Sequence, residues 1–401
     1  AMISSADGGY TWTPNVTEAP WQAKIAFQQY VLEVEGSPSF TDQMSVVTEL
    51  YDGTLAAVCE SKDANKDFHI SIIYSDAAWS DSPDYDKTGP ADRQSNLFQG
   101  AAPYIRKMND FLGARHHWVT LDTPELVPAL YAAVDARDLP GMADVDASLL
   151  VFCRHIKPHA TVALSGECAD EIFGGYPWYR DPTVRERYGF PWAQSTAYRA
   201  SFIKPGVLGG IDPAAFVDER YRATLAQTSV RPGLPAAEQR MRQMMNLNFK
   251  WFMQTLLDRK DRMSMYSGLE VRVPFCDYRI AEYLYSVPWE FKDYHGQEKG
   301  LLREAMRGVL PDEVLWRRKS PYPKTWNPSY LAAVSAELRT VLNDPAAPLL
   351  RIIRADALET LLASGADNPI PWYGQLMTTP QTIAWFLQLN YWLAKYKVEL
   401  V

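Results

Sequence analysis

Three carboxylates, Glu167, Asp170 and Glu171, fall within five consecutive residues of the segment 165–179, SGECADEIFGGYPWY. Like charges this close repel one another unless a cation, a hydrogen-bond donor or water answers them. A magnesium ion held by one or two carboxylates together with substrate phosphates would meet that need. So would a helix start, because acidic residues are favoured in a first helical turn. The segment directly follows the apolar run 161–164, TVAL. A short polar turn at the carboxyl end of a parallel strand is where open α/β sheets bind ligands.

Two further clusters carry charge. Residues 256–278, LLDRKDRMSMYSGLEVRVPFCDY, read as a helix ending near Ser267 and Gly268, with Arg259, Lys260 and Arg262 on a solvated face. Residues 317–324, RRKSPYPK, form an ordered loop of three cations followed by two prolines, with Tyr322 between the prolines. Surface basicity explains such a run, but so does chemistry: phosphoryl and adenylyl transfer need a cation over developing negative charge, and a positioned lysine such as Lys319 supplies it.

The elements that must position these groups change along the chain. Residues 21–33 carry a mixed helical pattern, 44–48 suit a short strand and 54–61 a helix, while 68–74 (FHISIIY) read as a buried strand. Helices are expected over 101–111, 123–134 (Thr123 capping and Pro124 opening it) and 146–156, with strands over 117–121 and 161–164. Such alternation predicts an α/β fold with a twisted, mostly parallel sheet. Beyond about Phe190 the strand signals end, and 236–266, 280–287, 300–309, 330–342 and 379–396 all suit helices, so a mostly helical lobe should follow. The division expected is a linker-like 1–20, an α/β part over 21–185 and a helical part over 186–401.

The bulk composition sets limits. At 401 residues, 47% hydrophobic and 22% charged, the chain is globular and large enough for two or three cores. A net charge of −8 and a pI near 5.4 oppose nucleic acid or an anionic membrane as partner. No apolar run reaches the ~18 residues of a membrane span, and no secretion signal is visible near the start. The four cysteines, Cys59, Cys153, Cys168 and Cys276, make no close pair in sequence and read as reduced thiols, so a cytoplasmic location is expected.

From about Phe111 to the end, the chain resembles the synthetase part of the asparagine synthetase family. The Ser-Gly-Glu-x-x-Asp-Glu-x-x-Gly-Gly-Tyr pattern is present without a gap from Ser165 and Gly166 to Tyr176, and D-R-x-S-M with S-x-x-E-V-R-x-P-F-x-D follows at 261–277. The resemblance implies a PP-loop ATPase-like fold and amide-bond formation with ATP and magnesium. It implies that Glu167 faces the amino-acid substrate or the attacking amine, that Asp170 lies near the metal and pyrophosphate, and that Lys319 is the essential lysine. Arg272 with Asp277 or Glu270 would form a buried charge pair. The runs 137–148, 317–325 and 371–397 resemble one bacterial subgroup. The expected partner is a small-molecule substrate, with a homo-oligomer or a separate source of amine or ammonia also compatible.

Two departures from the family pattern stand out. Family members open with a glutaminase domain whose nucleophile is a cysteine just after the first methionine. Here the first cysteine is Cys59, so the chain as given should not hydrolyse glutamine. The phosphate-binding Ser-Gly-Gly-x-Asp-Ser is also missing. Its counterpart is 48–54, TELYDGT, in which Asp52 and Thr54 match the last polar positions and would touch nucleotide or metal, but Glu49 and Leu50 replace the glycines. A carboxylate there repels phosphate and a Cβ blocks close backbone approach, so ATP should bind more than about a hundredfold more weakly than with an intact loop. Two function classes follow: an ATP-dependent amide-forming ligase, or a derived homologue that carries out an ATP-independent condensation, cyclisation or acyl transfer, or serves as a non-catalytic partner.

Overall fold

The computed structural model describes residues 3–4, 13–14, 30–31, 43–49, 55–61, 72–74, 102–117, 119–317, 328–365 and 377–399. The chain divides into two compact units, residues 1–126 with 320–333 and residues 127–319 with 334–401.

In the first unit, strands β1 (Gln43–Glu49) and β2 (Leu55–Ser61) pair antiparallel over seven positions, from Gln43↔Ser61 to Glu49↔Leu55. Tyr30–Val31 add antiparallel to β1 opposite Val46 and Val47. Both findings correct the sequence reading, which expected helices over 21–33 and 54–61. A seven-residue ladder outweighs the weak helix preference of the Leu-Ala-Ala run. Strand β3 (Ile72–Tyr74) pairs parallel with β4 (Val119–Leu121), each in an expected strand region. Helix α1 (Ala102–Leu112) lies between them in sequence.

Helix α2 (Thr123–Arg137) begins at the expected residue with a different cap: the Asp122 carboxylate accepts the Thr123 backbone N–H at 2.6 Å.

The second unit holds helix α3 (Asp144–Ile156) and the parallel pair β5 (Val162–Leu164) and β6 (Glu270–Arg272). Strand β6 lies in the half expected to be mostly helical and was not itself expected, because three residues between a helix and a proline carry too little periodicity to read. The described strands 72–74 and 162–164 belong to separate two-stranded ladders, so the single continuous sheet expected is not present among the described residues. What is observed is a mostly helical α/β chain with small parallel pairings.

The helices that bear on the site and its scaffold are α4 (Ala169–Phe173), α5 (Pro213–Ala226), α6 (Ala236–Leu247), α7 (Gln254–Tyr266), α8 (Tyr278–Ser286), α9 (Gly300–Ala305), α10 (Pro328–Asn343) and α11 (Thr379–Lys395), with shorter helices between them. Those from 236 onward overlap the expected ranges, whereas the helix over Pro213–Ala226 was not expected from the sequence. Helices α6 and α7 run into each other through a wider π-helical turn, Asn248–Met253. Thr378 and Gln381 cap α11 reciprocally, and among the described residues no helix is long and apolar enough to cross a membrane.

Buried polar bonds fix the second unit. The Gln388 amide on α11 accepts from the Gly141 N–H at 3.2 Å and donates to the Leu130 carbonyl at 3.0 Å. Asp146 on α3 accepts the Met142 N–H at 2.8 Å and pairs with Arg137 at 3.2 Å and with Arg259 of α7 at 3.8 Å. A Cβ on Gly141 would stand 2.0 Å from the Asp146 carboxylate, so only glycine permits that approach. Arg259 is therefore a core residue of this unit, contrary to its expected place on a solvated face.

Candidate functional site

The backbone brings the two sequence signatures together. The Ser165 N–H donates to the Arg272 carbonyl at 2.9 Å, extending the β5–β6 ladder by one bond. The chain then turns sharply: Cys168 takes φ +75°, a left-handed conformation costly for a residue with a side chain, and caps α4. Gly174 ends α4 at φ +69°, and the Gly175 N–H returns to the Asp170 carbonyl at 2.8 Å. A Cβ on Gly175 would fall 1.7 Å from Asp170 Oδ1, so the second glycine of the signature makes room for that carboxylate.

Each of the three clustered carboxylates has its own protein partner. Lys260 Nζ stands 3.3 Å from Glu167 Oε1, with the two side chains 15% and 20% exposed. Lys299 Nζ stands 2.9 Å from Asp170 Oδ1, at 24% and 23% exposure. Glu171 is buried and accepts the Tyr176 hydroxyl at 2.6 Å; burial and the Glu171 charge both push the Tyr176 hydroxyl far above its ordinary value. The predicted repulsion is thus met by two ammonium groups and a phenol. Among the described residues no cluster of three or more His, Cys, Asp or Glu suits a metal ion.

Glu167 Oε2 is buried and has no hydrogen-bond partner among the described residues. An orphaned carboxylate oxygen beside a neutralising lysine is suited to accept a hydrogen bond or a proton from a substrate ammonium or amine.

Lys299 sits at φ +57°, immediately before α9, and so shares with Cys168 the left-handed backbone that concentrates at sites of this kind. Leu301 and Leu302 of α9 pack with Ile172 and Phe173 of α4, which ties the Lys299 turn to the helix bearing Asp170.

Other expected residues fall elsewhere. Arg272 pairs with Glu270 at 2.8 Å, but the side chains are 64% and 50% exposed, and Asp277 caps α8 and binds its neighbour Arg279 at 2.5 Å on the surface. The buried charge pair expected of these residues is instead Asp146 with Arg259 and Arg137. Arg279 holds the Asp277 carboxyl down to about 2. Asp52, Thr54, Lys319 and Tyr322 lie outside the described residues.

The sequence reading missed Lys260, Lys299, Tyr176 and Arg180. A charge count could have found the first three, since three carboxylates in five residues require compensating groups. The cysteines also come closer than their spacing suggested: the Cys168 and Cys276 thiols share a hydrogen bond, and burial, with Cys276 beside it, pushes the Cys168 thiol well up. Cys153, Cys168 and Cys276 are free.

Residues 100–394 match the asparagine synthase family, and the chain belongs to that family. It is 44% identical over 310 residues to asparagine synthetase [glutamine-hydrolyzing] 3 of Bacillus subtilis, covering 77% of this chain and 50% of that protein. It is 32% identical over 215 residues to asparagine synthetase [glutamine-hydrolyzing] 1 of the same organism, covering 45% of this chain and 34% of the relative. The amidase chry2 of Gibberella zeae is 26% identical over 298 residues, covering 59% of this chain and 44% of the relative. The chain spans half or less of the length of each of these relatives.

Proposed function

We propose that the chain is an ATP-dependent, asparagine-synthetase-like ligase that joins a small carboxylate to ammonia or an amine. A substrate carboxylate oxygen attacks the α-phosphorus of ATP and pyrophosphate leaves, giving an acyl adenylate. The amine nitrogen then attacks the acyl carbon, the carbon–oxygen bond to AMP breaks, and the nitrogen loses a proton as the amide forms.

The observation that carries this reading is Glu167, which offers a buried oxygen without a protein donor while its other oxygen is neutralised by Lys260. That arrangement suits holding a substrate ammonium or taking the proton from the attacking amine. Asp170 and Lys299 supply a hard oxygen and a cation side by side, a donor set that fits magnesium-bound pyrophosphate. The metal, when bound, would neutralise phosphate charge. Lys319 is assigned the same task at the α-phosphorus from its place in the family-like run 317–324.

A second reading, acyl transfer without ATP, is favoured by one observation: the expected phosphate loop, 48–54, begins inside strand β1 and is followed by strand β2 rather than by a helix whose N-terminus would face phosphate. The two readings separate by product. Incubation with ATP, magnesium and isotopically labelled ammonia over a panel of carboxylates should give labelled amide and AMP in equal amounts. Amide or ester formed without AMP would establish the second reading instead.

A further inference from the structure

The Arg180 guanidinium bridges the two chain segments that hold the Asp170–Lys299 pair. Nη1 donates to the Gly174 carbonyl at 2.9 Å, at the end of the helix that carries Asp170. Nη2 donates to the Gln297 carbonyl at 3.1 Å, two residues before Lys299, and Nε stands 2.6 Å from Asp293 Oδ1 at the start of the same turn. A guanidinium presents these donors in one rigid plane, so it fixes a spacing that a lysine cannot.

The surroundings leave the clamp little freedom. Trp289 places its ring against Gly174, where a Cβ would be 2.4 Å away; it stacks on Tyr179 at 5.2 Å and lies under the guanidinium at 5.8 Å. On the other side, a Cβ on Gly300 would come within 2.5 Å of the Tyr294 backbone nitrogen. The turn 293–300 is therefore closed on itself, with His295 and Lys299 both left-handed. A turn with two such residues needs an external restraint to hold one geometry.

We infer that Arg180 is a positioning residue for Lys299: it locks the 293–299 turn onto the Gly174–Gly175 corner and thereby sets the ammonium against Asp170. This assignment deepens the ligase reading, because it names what orients the proposed pyrophosphate-binding pair, but the geometry of the pair is testable without turnover.

The test is competitive amine acylation of the purified chain, read peptide by peptide by mass spectrometry. Lys260, paired with Glu167 and without contact to Arg180, serves as internal reference. In Arg180→Met, and independently in Asp293→Asn, Lys299 should acylate about tenfold faster relative to Lys260 than in wild type, as expected when one charge-assisted hydrogen bond ceases to hold the pair. Arg180→Lys, which keeps the charge but cannot reach both carbonyls, should fall on the side of Arg180→Met. If Lys299 keeps its wild-type relative rate in Asp293→Asn and Arg180→Lys, both of which retain a polar group at the site, the assignment is overturned. Where turnover is measurable, Arg180→Met combined with Lys299→Met should lose no more than Lys299→Met alone, and additive losses would assign Arg180 a general structural role instead. A wild-type chain that forms no adenylate would overturn the ligase reading while leaving the acylation result to decide on Arg180.

Discussion

Lys260 on α7 holds its ammonium 3.3 Å from the Glu167 carboxylate on the turn after β5, although the two come from different sequence signatures. The pair leaves Glu167 Oε2 buried and without a hydrogen-bond partner among the described residues. Replacing Lys260 with Met should lower amide synthesis tenfold to a hundredfold, the value of about 1.5–3 kcal/mol for one hydrogen bond to a charged group. Glu167→Gln should cost about 10²-fold or more, as loss of an acid/base group commonly does. Steady-state kinetics on the amide product checks both, and Lys260→Arg should recover most of the loss.

Gly175→Ala tests whether Asp170 must stay where it is. The added methyl would sit 1.7 Å from Asp170 Oδ1 and 3.1 Å from the Asp170 Cα, so the carboxylate has to leave Lys299. A rate loss of about 10²-fold with a near-normal circular dichroism spectrum is expected. Full activity would show that the Asp170–Lys299 contact is dispensable.

Tyr176→Phe should act on stability. It removes the Tyr176 hydroxyl that donates to the buried Glu171 carboxylate while keeping the ring stacked on Trp178 at 4.3 Å. Loss of a hydrogen bond to a charged buried group costs about 1.5–3 kcal/mol, read from urea denaturation. Unchanged unfolding would mean that Glu171 is carried by other contacts.

These expectations separate what the sequence made legible from what it hid. The Ser-Gly-Glu-x-x-Asp-Glu spacing is local, and the turn, helix and two glycines that it dictates are all present between Ser165 and Tyr176. The partners of those carboxylates are non-local: Lys260 looked like one charge on a solvated helix face, and Lys299 carried no signal of its own, because ion pairing across helices has no period in sequence. Arg272 does pair with Glu270, one of its two expected partners, but at the surface rather than buried, and Asp277 is taken by its neighbour Arg279. Strand β6 was too short to show a strand period and is defined by its pairing with β5.

Lys292 links stability to pH. It is 2% exposed, its ammonium donates to Met245 Sδ at 3.0 Å, and burial pushes it down from 10.5 to about 7, with Glu238 opposing and Arg242 adding to the shift. The unfolded chain keeps this proton up to the ordinary lysine value, whereas the folded chain releases it near 7. Across that window the unfolded state binds more protons, so this group's contribution to stability rises with pH and is lost as pH falls back toward 7. Lys292→Met should therefore stabilise the chain by on the order of 2 kcal/mol at neutral pH and flatten the rise between neutral and alkaline pH. Urea titrations at the two pH values check it, and an unchanged slope would contradict it.

The central claim is that Asp170 and Lys299 serve adenylation of a carboxylate. ATP–pyrophosphate exchange measures that step directly, without requiring the amine. With millimolar ATP and magnesium, the wild-type chain should exchange label in the presence of one member of a carboxylate panel, and Lys299→Met should reduce the rate by about 10²-fold. Absence of exchange with every carboxylate, in a preparation that still converts one of them to product without ATP, would contradict the account.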